Sequence, residues 1–271
     1  MRGTEFKRVV LVVLIAASVP VIFAKWEERR ERGARQALLD ALQPVLLSNC
    51  TLERVGSAHD GGYLMCANLM AGIQVAYSYG IGPNDDWGCA ITRGHSVPVH
   101  QYDCFDPARP TCTAGQLIFH DECVADRSQT IGGRVFDTLA NQVARNGDTA
   151  RHKVVKIDVE GAEWDALLQT PDEVLAGIDQ MPLELHGTND SRMLYVVRKL
   201  KRTFDIVNLH FNNQACRTDN EPFPASAYQV LLVNKRLGVV DSSSPAPAQQ
   251  HPLNAPDRPD APDCQLVSRG R

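Results

Sequence analysis

The stretch Lys153–Leu168, KVVKIDVEGAEWDALL, restricts the possible folds more than any other part of the chain. A short apolar run ends in Asp158 and Glu160, two small residues follow, and Trp164 then begins a helical spacing of apolar residues. This pattern predicts a buried strand, an acidic turn and the start of a helix. Ligands bind beyond the carboxyl ends of the strands in open α/β sheets. We therefore expect Asp158 and Glu160 to lie at a ligand site.

Strand-like and helix-like segments alternate along most of the chain. Besides the opening stretch, the predicted strands are Gln74–Tyr79, Val97–Tyr102, Leu117–His120, Ile178–Leu185, Phe204–His210 and Tyr228–Val233. The predicted helices are Trp87–Arg93, Arg134–Arg145, Pro171–Ala176 and Ser191–Leu200. This alternation predicts an α/β fold with a doubly wound, mostly parallel sheet. Because no helix separates the last two strands, we expect an antiparallel hairpin at one edge.

The N-terminus predicts a hydrophobic helix that targets the chain to a membrane. Basic residues precede a nearly uninterrupted apolar run, Val9–Ala24, and a charged stretch follows it. This run is short for a membrane span and slightly long for a signal-peptide core. We interpret residues 1–25 as a signal anchor, with a cleaved signal peptide as the alternative. The preceding positive charge favours a cytoplasmic N-terminus. We thus expect a single-pass type II membrane protein on the lumenal side of the endoplasmic reticulum or Golgi, or a secreted protein.

The remaining chain divides into three parts by composition. Residues 26–50 predict a charged stem helix, and residues 51–240 hold the α/β domain. Asp241–Arg271 is rich in Pro, Ala, Ser and Asp without apolar periodicity, which predicts a disordered tail. The formal net charge is -4 and no basic run is present, so nothing in the charge favours nucleic acid as a partner.

The chain has eight cysteines, an even number, and a lumenal location permits disulfides. Cys104, Cys112 and Cys123 cluster in sequence, so we expect a local bridge there, although spacing does not fix the pairing. Free buried thiols are the alternative. A zinc site is disfavoured because no CxxC pair is present. The triplets beginning at Asn49 and Asn189 fit the N-glycosylation pattern.

Two candidate ligand-binding segments follow the first two predicted strands. Gly80 and Gly82 would let a ligand approach the backbone closely. The third glycine of a dinucleotide-binding fingerprint is replaced by Asp85, which disfavours a pyrophosphate. Asp103 and Asp106 follow the second strand, where an acidic residue commonly binds ribose hydroxyls. A turn without a ligand is the alternative for both segments.

Two further acidic strand ends are candidates for chemistry. Asp158 and Glu160 could hold a divalent cation, orient a substrate or accept a proton; alternatively, Glu160 and Glu163 only complement the helix dipole. Glu184 and His186 end the next strand and would face the same edge of the sheet. His210 ends the strand after that and is a weaker candidate.

Together these motifs resemble the FkbM-type, methyltransferase-like class I S-adenosylmethionine-dependent methyltransferases. The resemblance runs from about Arg54 to Lys235 and rests on YSYGIG at Tyr77–Gly82, YDCFDP at Tyr102–Pro107 and KIDVEGAEW at Lys156–Trp164. Asp60–Tyr63 (DGGY) fits the eukaryotic branch of that group. The resemblance implies a seven-stranded sheet whose last strand is antiparallel. It does not cover the N-terminal anchor or the tail.

The resemblance also implies roles for particular residues. Gly80 and Gly82 would lie under the methionine part of the cofactor, and Asp106 would hold its ribose. Asp158 would lie beside the methyl donor, with Glu160 supporting it. Relatives often have an acidic residue after the aromatic that follows the glycine loop, but here that position is Gly88.

The implied activity is transfer of a methyl group from S-adenosyl-L-methionine to a hydroxyl of a sugar or other small molecule in the secretory pathway. His186 or Asp158 would act as the base, and no metal is assigned. Two alternatives stay open. Asp158 and Glu160 could bind manganese in a Golgi glycosyltransferase, or the fold could be a non-catalytic interaction module, as Gly88 alone suggests.

Overall fold

A computed structural model describes residues 25–106, 109–243 and 251–264. The strands are β1 Leu52–Gly56, β2 Gly62–Cys66, β3 Val75–Tyr79, β4 Pro98–Tyr102, β5 Gln116–His120, β6 Glu122–Val124, β7 Gln129–Ile131, β8 Arg134–Asp137, β9 Lys153–Ile157, β10 Ile178–His186, β11 Phe204–Phe211 and β12 Ala227–Asn234. The helices are α1 over 25–41, α2 Asp86–His95, α3 Leu139–Arg145, α4 Glu163–Gln169, α5 Asp172–Ala176 and α6 Ser191–Thr203.

The central sheet has seven strands in the order β11-β12-β10-β9-β3-β4-β5. The five strands from β10 to β5 are mutually parallel. β12 runs antiparallel to both of its neighbours, β10 and β11. The predicted α/β fold, the mostly parallel sheet and the antiparallel hairpin at one edge are therefore confirmed.

Alternate residues of the central strands pack on opposite faces of the sheet. Tyr77 of β3 and Val155 of β9 belong to one apolar cluster, which includes residues of α3, α4 and α6. Ala76 and Val154 belong to another cluster, which α2 and β2 complete. Both faces are thus covered, as burial of a parallel sheet requires. This two-sided burial explains the continuous apolar run of β9 and places its acidic end at a common edge with the neighbouring strands.

The predicted helix Arg134–Arg145 is wrong in its first third. Arg134–Asp137 forms β8, which pairs with β6 and β7 in a separate three-stranded sheet. Gly132 and Gly133 turn the chain between β7 and β8 with positive φ angles. The helix begins only after Thr138, whose side chain accepts a hydrogen bond from the Asn141 backbone N–H at 3.2 Å. Apolar residues four apart fit both a strand end and a helix, so spacing alone could not locate this boundary.

All eight cysteines are paired, which confirms the prediction of disulfides and removes the alternative of free thiols. The bridges are Cys50–Cys66, Cys89–Cys112, Cys104–Cys123 and Cys216–Cys264. The expected local bridge within the central trio is Cys104–Cys123. The last bridge joins residues 48 positions apart.

That last bridge corrects the expectation of a disordered tail over Asp241–Arg271. Residues 251–264, here called the C-terminal strap, pack against the domain. The Asn213 amide donates to the carbonyls of Arg258 at 2.9 Å and Ala261 at 3.0 Å, and its oxygen accepts from the Arg258 N–H at 2.8 Å. The strap is polar and aperiodic because side chains of the domain, rather than an apolar face of its own, fix its backbone. Residues 244–250 and 265–271 lie outside the described residues.

Polar side chains of the last two strands also meet the strap. The Gln229 amide donates to Asp257 at 3.2 Å, and the Asn208 amide donates to Asn254 at 3.0 Å. Asp257 is 4% exposed. Burial, with the negative charge of Asp60 nearby, raises the pKa of Asp257 to about 6. The strap therefore covers a polar part of the sheet that water would otherwise hydrate.

The predicted stem helix is shorter than residues 26–50 and is not a free stem. α1 ends at residue 41, and Leu38, Leu39 and Leu42 join the main apolar cluster. Residues 1–24, which include the predicted anchor, lie outside the described residues. Among the residues described, no helix is both long enough and apolar enough to cross a membrane.

Candidate functional site

A cavity of about 1090 Å³ opens beyond the carboxyl ends of β3, β4, β9 and β10. This is where the topology of a parallel sheet places ligands. Most of the residues picked out by sequence line it, namely Gly80, Gly82, Asp85, Asp103, Asp158, Glu160, Glu184 and His186. Asp106 and His210 are not among the lining residues. The acidic strand ends are thus gathered around one space.

Gly80 and Gly82, the two glycines after β3, are glycines for different structural reasons. Both have positive φ, +68° at Gly80 and +53° at Gly82. A Cβ on Gly80 would lie 1.6 Å from the Asp158 carbonyl oxygen, whereas a Cβ on Gly82 would have no atom within 4 Å. Gly80 is therefore required by the close approach of β3 and β9. Gly82 lies beside open space on the cavity wall, where a ligand could approach the backbone.

We expect Gly80→Ala to destabilise the fold by about 3 kcal/mol or more, because the new methyl group overlaps backbone that cannot move away. Gly82→Ala is the matched control, since it meets only the cost of a left-handed backbone, about 1–2 kcal/mol. Urea unfolding of the two variants tests this difference. Equal stability losses would contradict the distinct roles given to the two glycines.

The acidic residue at the end of β4 that reaches the cavity is Asp103. Its Oδ2 accepts from the Gly82 N–H at 3.2 Å, which ties the glycine loop to β4. Its Oδ1 accepts from the backbone N–H groups of Phe105 at 2.8 Å and Asp106 at 3.0 Å. Because the strand ends at Tyr102, the chain turns at once around Asp103. Asp103 therefore lines the cavity, whereas Asp106, where the resemblance places the ribose contact, is not among the lining residues.

Asp85 and Gly88 form the cap of α2. The buried Asp85 carboxylate accepts from the Gly88 N–H at 2.8 Å and from the Gln101 amide at 2.7 Å. A Cβ on Gly88 would lie 2.2 Å from Asp85 Oδ2. Gly88 thus makes room for the capping carboxylate. This packing gives a structural reason for a glycine at position 88.

Asp158 is one of the residues that line the cavity. The Tyr63 hydroxyl donates to its Oδ2 at 3.0 Å, and Lys156 Nζ lies 3.6 Å from the same oxygen. Burial and the Asp158 charge raise the pKa of Tyr63, which keeps that hydroxyl a donor. Lys156 also donates to the Gly80 carbonyl at 2.6 Å. The carboxylate is therefore held in place by two side chains, one of them anchored to the glycine loop.

His186 is oriented by Glu163, a fully buried residue of α4. Glu163 Oε1 accepts from the His186 backbone N–H at 2.7 Å and lies 3.3 Å from its Nδ1, while Oε2 accepts from the Gly161 N–H at 2.8 Å. Burial lowers the pKa of His186, but Glu163, Glu184 and Asp158 outweigh it and raise this pKa to about 9. Both ring nitrogens are therefore protonated at neutral pH, so the ring donates hydrogen bonds rather than accepting them.

The other ring nitrogen of His186 faces a ring of carboxylates. Nε2 lies 3.5 Å from Glu160 Oε2, 3.9 Å from Glu184 Oε1 and 4.0 Å from Asp158 Oδ1. Glu184 is buried, and its Oε1 accepts from the Asn212 amide at 2.6 Å. Burial, together with the Asp158 charge, raises the pKa of Glu184 to about 8. We call Asp158, Glu160, Glu184 and His186 the acidic cluster.

Part of the cavity lining is apolar and aromatic. It includes Phe105, Val124, Phe136 and Ile81 of the glycine loop. The side chains of Phe105 and Phe136 meet edge to face at 6.3 Å between ring centroids. Val124 and Phe136, from the small three-stranded sheet, thus add apolar surface that could contact a flat apolar group.

Sequence reasoning missed three residues of this site. Tyr63 was present in the DGGY motif, but no role for its hydroxyl followed from the pattern. Glu163 was interpreted as a helix-dipole charge, yet it is buried under His186. Asn212 carried no signal. His210 is buried away from the cavity, with its Nε2 3.5 Å from Asp263 of the strap.

Comparisons with known proteins add little to this picture. The sequence matches no family model, and a search of curated proteins gives no match. Among solved structures, the chain is similar to a protein from Shewanella sp. PV-4 described as a riboflavin biosynthesis protein. The two share 11% sequence identity over 62% of this chain and 78% of that chain, with a TM-score of 0.25. A similarity at that level carries no argument about fold or function.

Proposed function

We propose that the protein is an S-adenosyl-L-methionine-dependent methyltransferase that methylates a hydroxyl of a sugar or other small molecule. The observation that carries this proposal is the position of Asp158. Asp158 directly follows the central strand β9, its backbone lies against the glycine loop, and it lines a cavity large enough for a cofactor and an acceptor. The seven-stranded sheet with an antiparallel last strand supports the same class.

The residues around the cavity fit the chemical groups of this cofactor. Gly82 gives close backbone access, and Asp103 offers a carboxylate to ribose hydroxyls. Phe105 and Phe136 offer aromatic surface to an adenine ring. The acidic cluster favours positive charge, which the sulfonium and the ammonium group both carry. When bound, the cofactor supplies an activated methyl group.

The chain's own residues then position the acceptor. Asp158 would hold an acceptor hydroxyl in line with the activated methyl group that the cofactor would supply. The hydroxyl proton passes to a carboxylate, for which Asp158 is our assignment. His186, protonated at neutral pH, is better suited to hold Asp158 in place than to accept this proton. Correct positioning supplies most of the acceleration.

Binding of S-adenosylhomocysteine is the first test. A ligand at 100 times its Kd stabilises the folded state by about 2.7 kcal/mol through mass action, so the melting temperature should rise. Asp103→Asn should weaken this shift, whereas Asp106→Asn, on the same turn, should leave it unchanged. A lack of any shift in the wild-type protein would overturn the proposal.

A manganese-dependent glycosyltransferase is the second candidate, because Asp158, Glu160 and His186 could together hold a metal ion. It predicts stabilisation by Mn²⁺ with a sugar nucleotide and none by S-adenosylhomocysteine. A non-catalytic module predicts no shift with either. The hypothesis of a non-catalytic module rested on Gly88. The cap of α2 explains why a glycine is needed at that position, because Gly88 makes room for the Asp85 carboxylate. The four disulfides support the secretory location that we propose for the domain.

A further inference from the structure

We infer that the side-chain amide of Asn189 is the attachment site of an N-linked glycan, and that Asn49, in the other matching triplet, stays unmodified. Both triplets have an asparagine followed two residues later by serine or threonine. An N-linked glycan is bulky and hydrophilic, so its asparagine lies at the surface with an available amide nitrogen. The structure separates the two triplets on this criterion. The inference rests on the secretory location that we propose, and not on methyl transfer.

Asn189 has an accessible amide nitrogen. The residue is exposed and lies in the loop between β10 and α6. Its Oδ1 accepts from Arg35 Nη1 at 3.0 Å. Because arginine is only a donor, this contact fixes which end of the amide is the oxygen. No described residue accepts a hydrogen bond from Asn189 Nδ2. The atom that would carry the sugar is therefore available, while the oxygen already has a partner.

The other two residues of this triplet are also accessible. Asp190 has an extended backbone, with φ −98° and ψ 129°, and its side chain caps α6 by accepting from the Arg192 N–H at 2.8 Å. Ser191, whose hydroxyl completes the pattern, is exposed at the start of that helix. Among the described residues, a glycan on Asn189 Nδ2 would therefore break no hydrogen bond that this triplet makes.

Asn49, by contrast, holds two parts of the fold together. Its Nδ2 donates to the Leu237 carbonyl at 2.8 Å, and its Oδ1 accepts from the Val239 N–H at 2.8 Å. These bonds join the segment before β1 to the segment after β12. The middle residue of the triplet, Cys50, is fixed to β2 by its disulfide with Cys66. A sugar on Asn49 Nδ2 would compete with the Leu237 contact, so the folded domain favours an unmodified Asn49.

The modification is the transfer of an oligosaccharide from a polyprenyl diphosphate donor, catalysed by an enzyme of the lumen. The bond that forms joins Asn189 Nδ2 to the anomeric carbon of the first sugar. The bond that breaks joins this carbon to a diphosphate oxygen, which leaves with the electron pair, and Nδ2 loses one proton to the enzyme. This chain supplies only the acceptor amide and the Ser191 hydroxyl that completes the recognised pattern.

The glycan would lie near the cavity without forming part of its wall. Asn189 follows His186 by three residues, so their Cα atoms are at most about 11 Å apart. Asn189 is not among the residues that line the cavity. Loss of the glycan should therefore leave the binding of S-adenosylhomocysteine unchanged.

Expression of the full chain in a eukaryotic secretory host, followed by peptide N-glycosidase F and mass spectrometry, tests the site. This glycosidase converts a glycosylated asparagine to aspartate, which locates the modification. We expect one glycan, at Asn189. Ser191→Ala should abolish it although Asn189 is unchanged, whereas Ser191→Thr keeps the pattern and should retain it. Asn49→Ala should retain the glycan but lower the melting temperature, because it removes two hydrogen bonds.

A glycan at Asn49, a glycan that persists in Ser191→Ala, or an unmodified wild-type chain would each overturn the inference. The cysteines give the reason for an unmodified chain. Disulfides would show that the domain reached the lumen and the site was not used, whereas free thiols would show that it did not reach the lumen. Binding of S-adenosylhomocysteine is measured separately. A glycan without such binding would retain the site and reject the methyltransferase; the reverse result would reject only the site.

Discussion

Asp158→Asn is expected to lower methyl transfer by a factor of at least about 100, the usual loss when a positioned proton acceptor is removed. The substitution keeps the size of the side chain and an oxygen for the Tyr63 hydroxyl, so the fold should persist. It removes the charge that lies 3.6 Å from Lys156 Nζ. Product formation with labelled cofactor, measured across a panel of hydroxylated acceptors, gives the rate.

Two comparisons make this result specific. Asp86→Asn neutralises an exposed cavity carboxylate outside the acidic cluster and should retain most of the activity. The affinity of Asp158→Asn for S-adenosylhomocysteine is measured separately, so that loss of chemistry is distinguished from loss of cofactor binding. Wild-type turnover in the purified Asp158 variant would remove this residue from the mechanism.

Among the substitutions that we propose, removal of the Cys216–Cys264 bridge by a double alanine substitution should cause the largest loss in the free energy of unfolding. The bridge closes a segment of 48 residues, and the chain-entropy model assigns such a loop about 4 kcal/mol. Release of the strap also exposes the polar side chains of β11 and β12 that it covers. Urea unfolding measures the loss. Faster hydrogen exchange of the Arg258 backbone N–H, which donates to Asn213, reports release of the strap.

The matched control is the double alanine variant of Cys89 and Cys112, whose sequence separation is 23. It loses a bridge but leaves the strap attached, so hydrogen exchange of the Arg258 N–H should stay slow. Exchange at the wild-type rate in both variants would contradict a strap that the Cys216–Cys264 bridge holds in place.

The sequence was sufficient for the architecture because the relevant signals are local. Each of these signals reflects the structure of the residues that carry it or of their neighbours in sequence. They are the apolar run before Asp158, the two glycines after β3 and the lack of a helix between β11 and β12. Alternation of such stretches restricts the sheet to a few topologies. The same reasoning predicted that the acidic strand ends lie at one edge of the sheet. The structure places them there.

The remaining features depend on distant partners or on single-residue boundaries. Whether Asp103 or Asp106 lines the cavity depends on where β4 ends. The ends of strands are the part of a structure that a sequence pattern predicts least well. Glu163 fits a helix-dipole role in sequence, and only burial beneath His186 reveals its other contacts. The strap has no periodicity of its own, because its order comes from Asn213 and a bridge to Cys216.

The position of β12 determines the order in which the domain can assemble during synthesis. This strand is the last of the sheet to leave the ribosome, yet it lies between β10 and β11 and pairs with both. Until Asn234 has emerged, β11 has no native neighbour, and β10 exposes an unpaired edge. Nascent chains that stall before this point thus present an open sheet edge, the feature that most invites association with other chains.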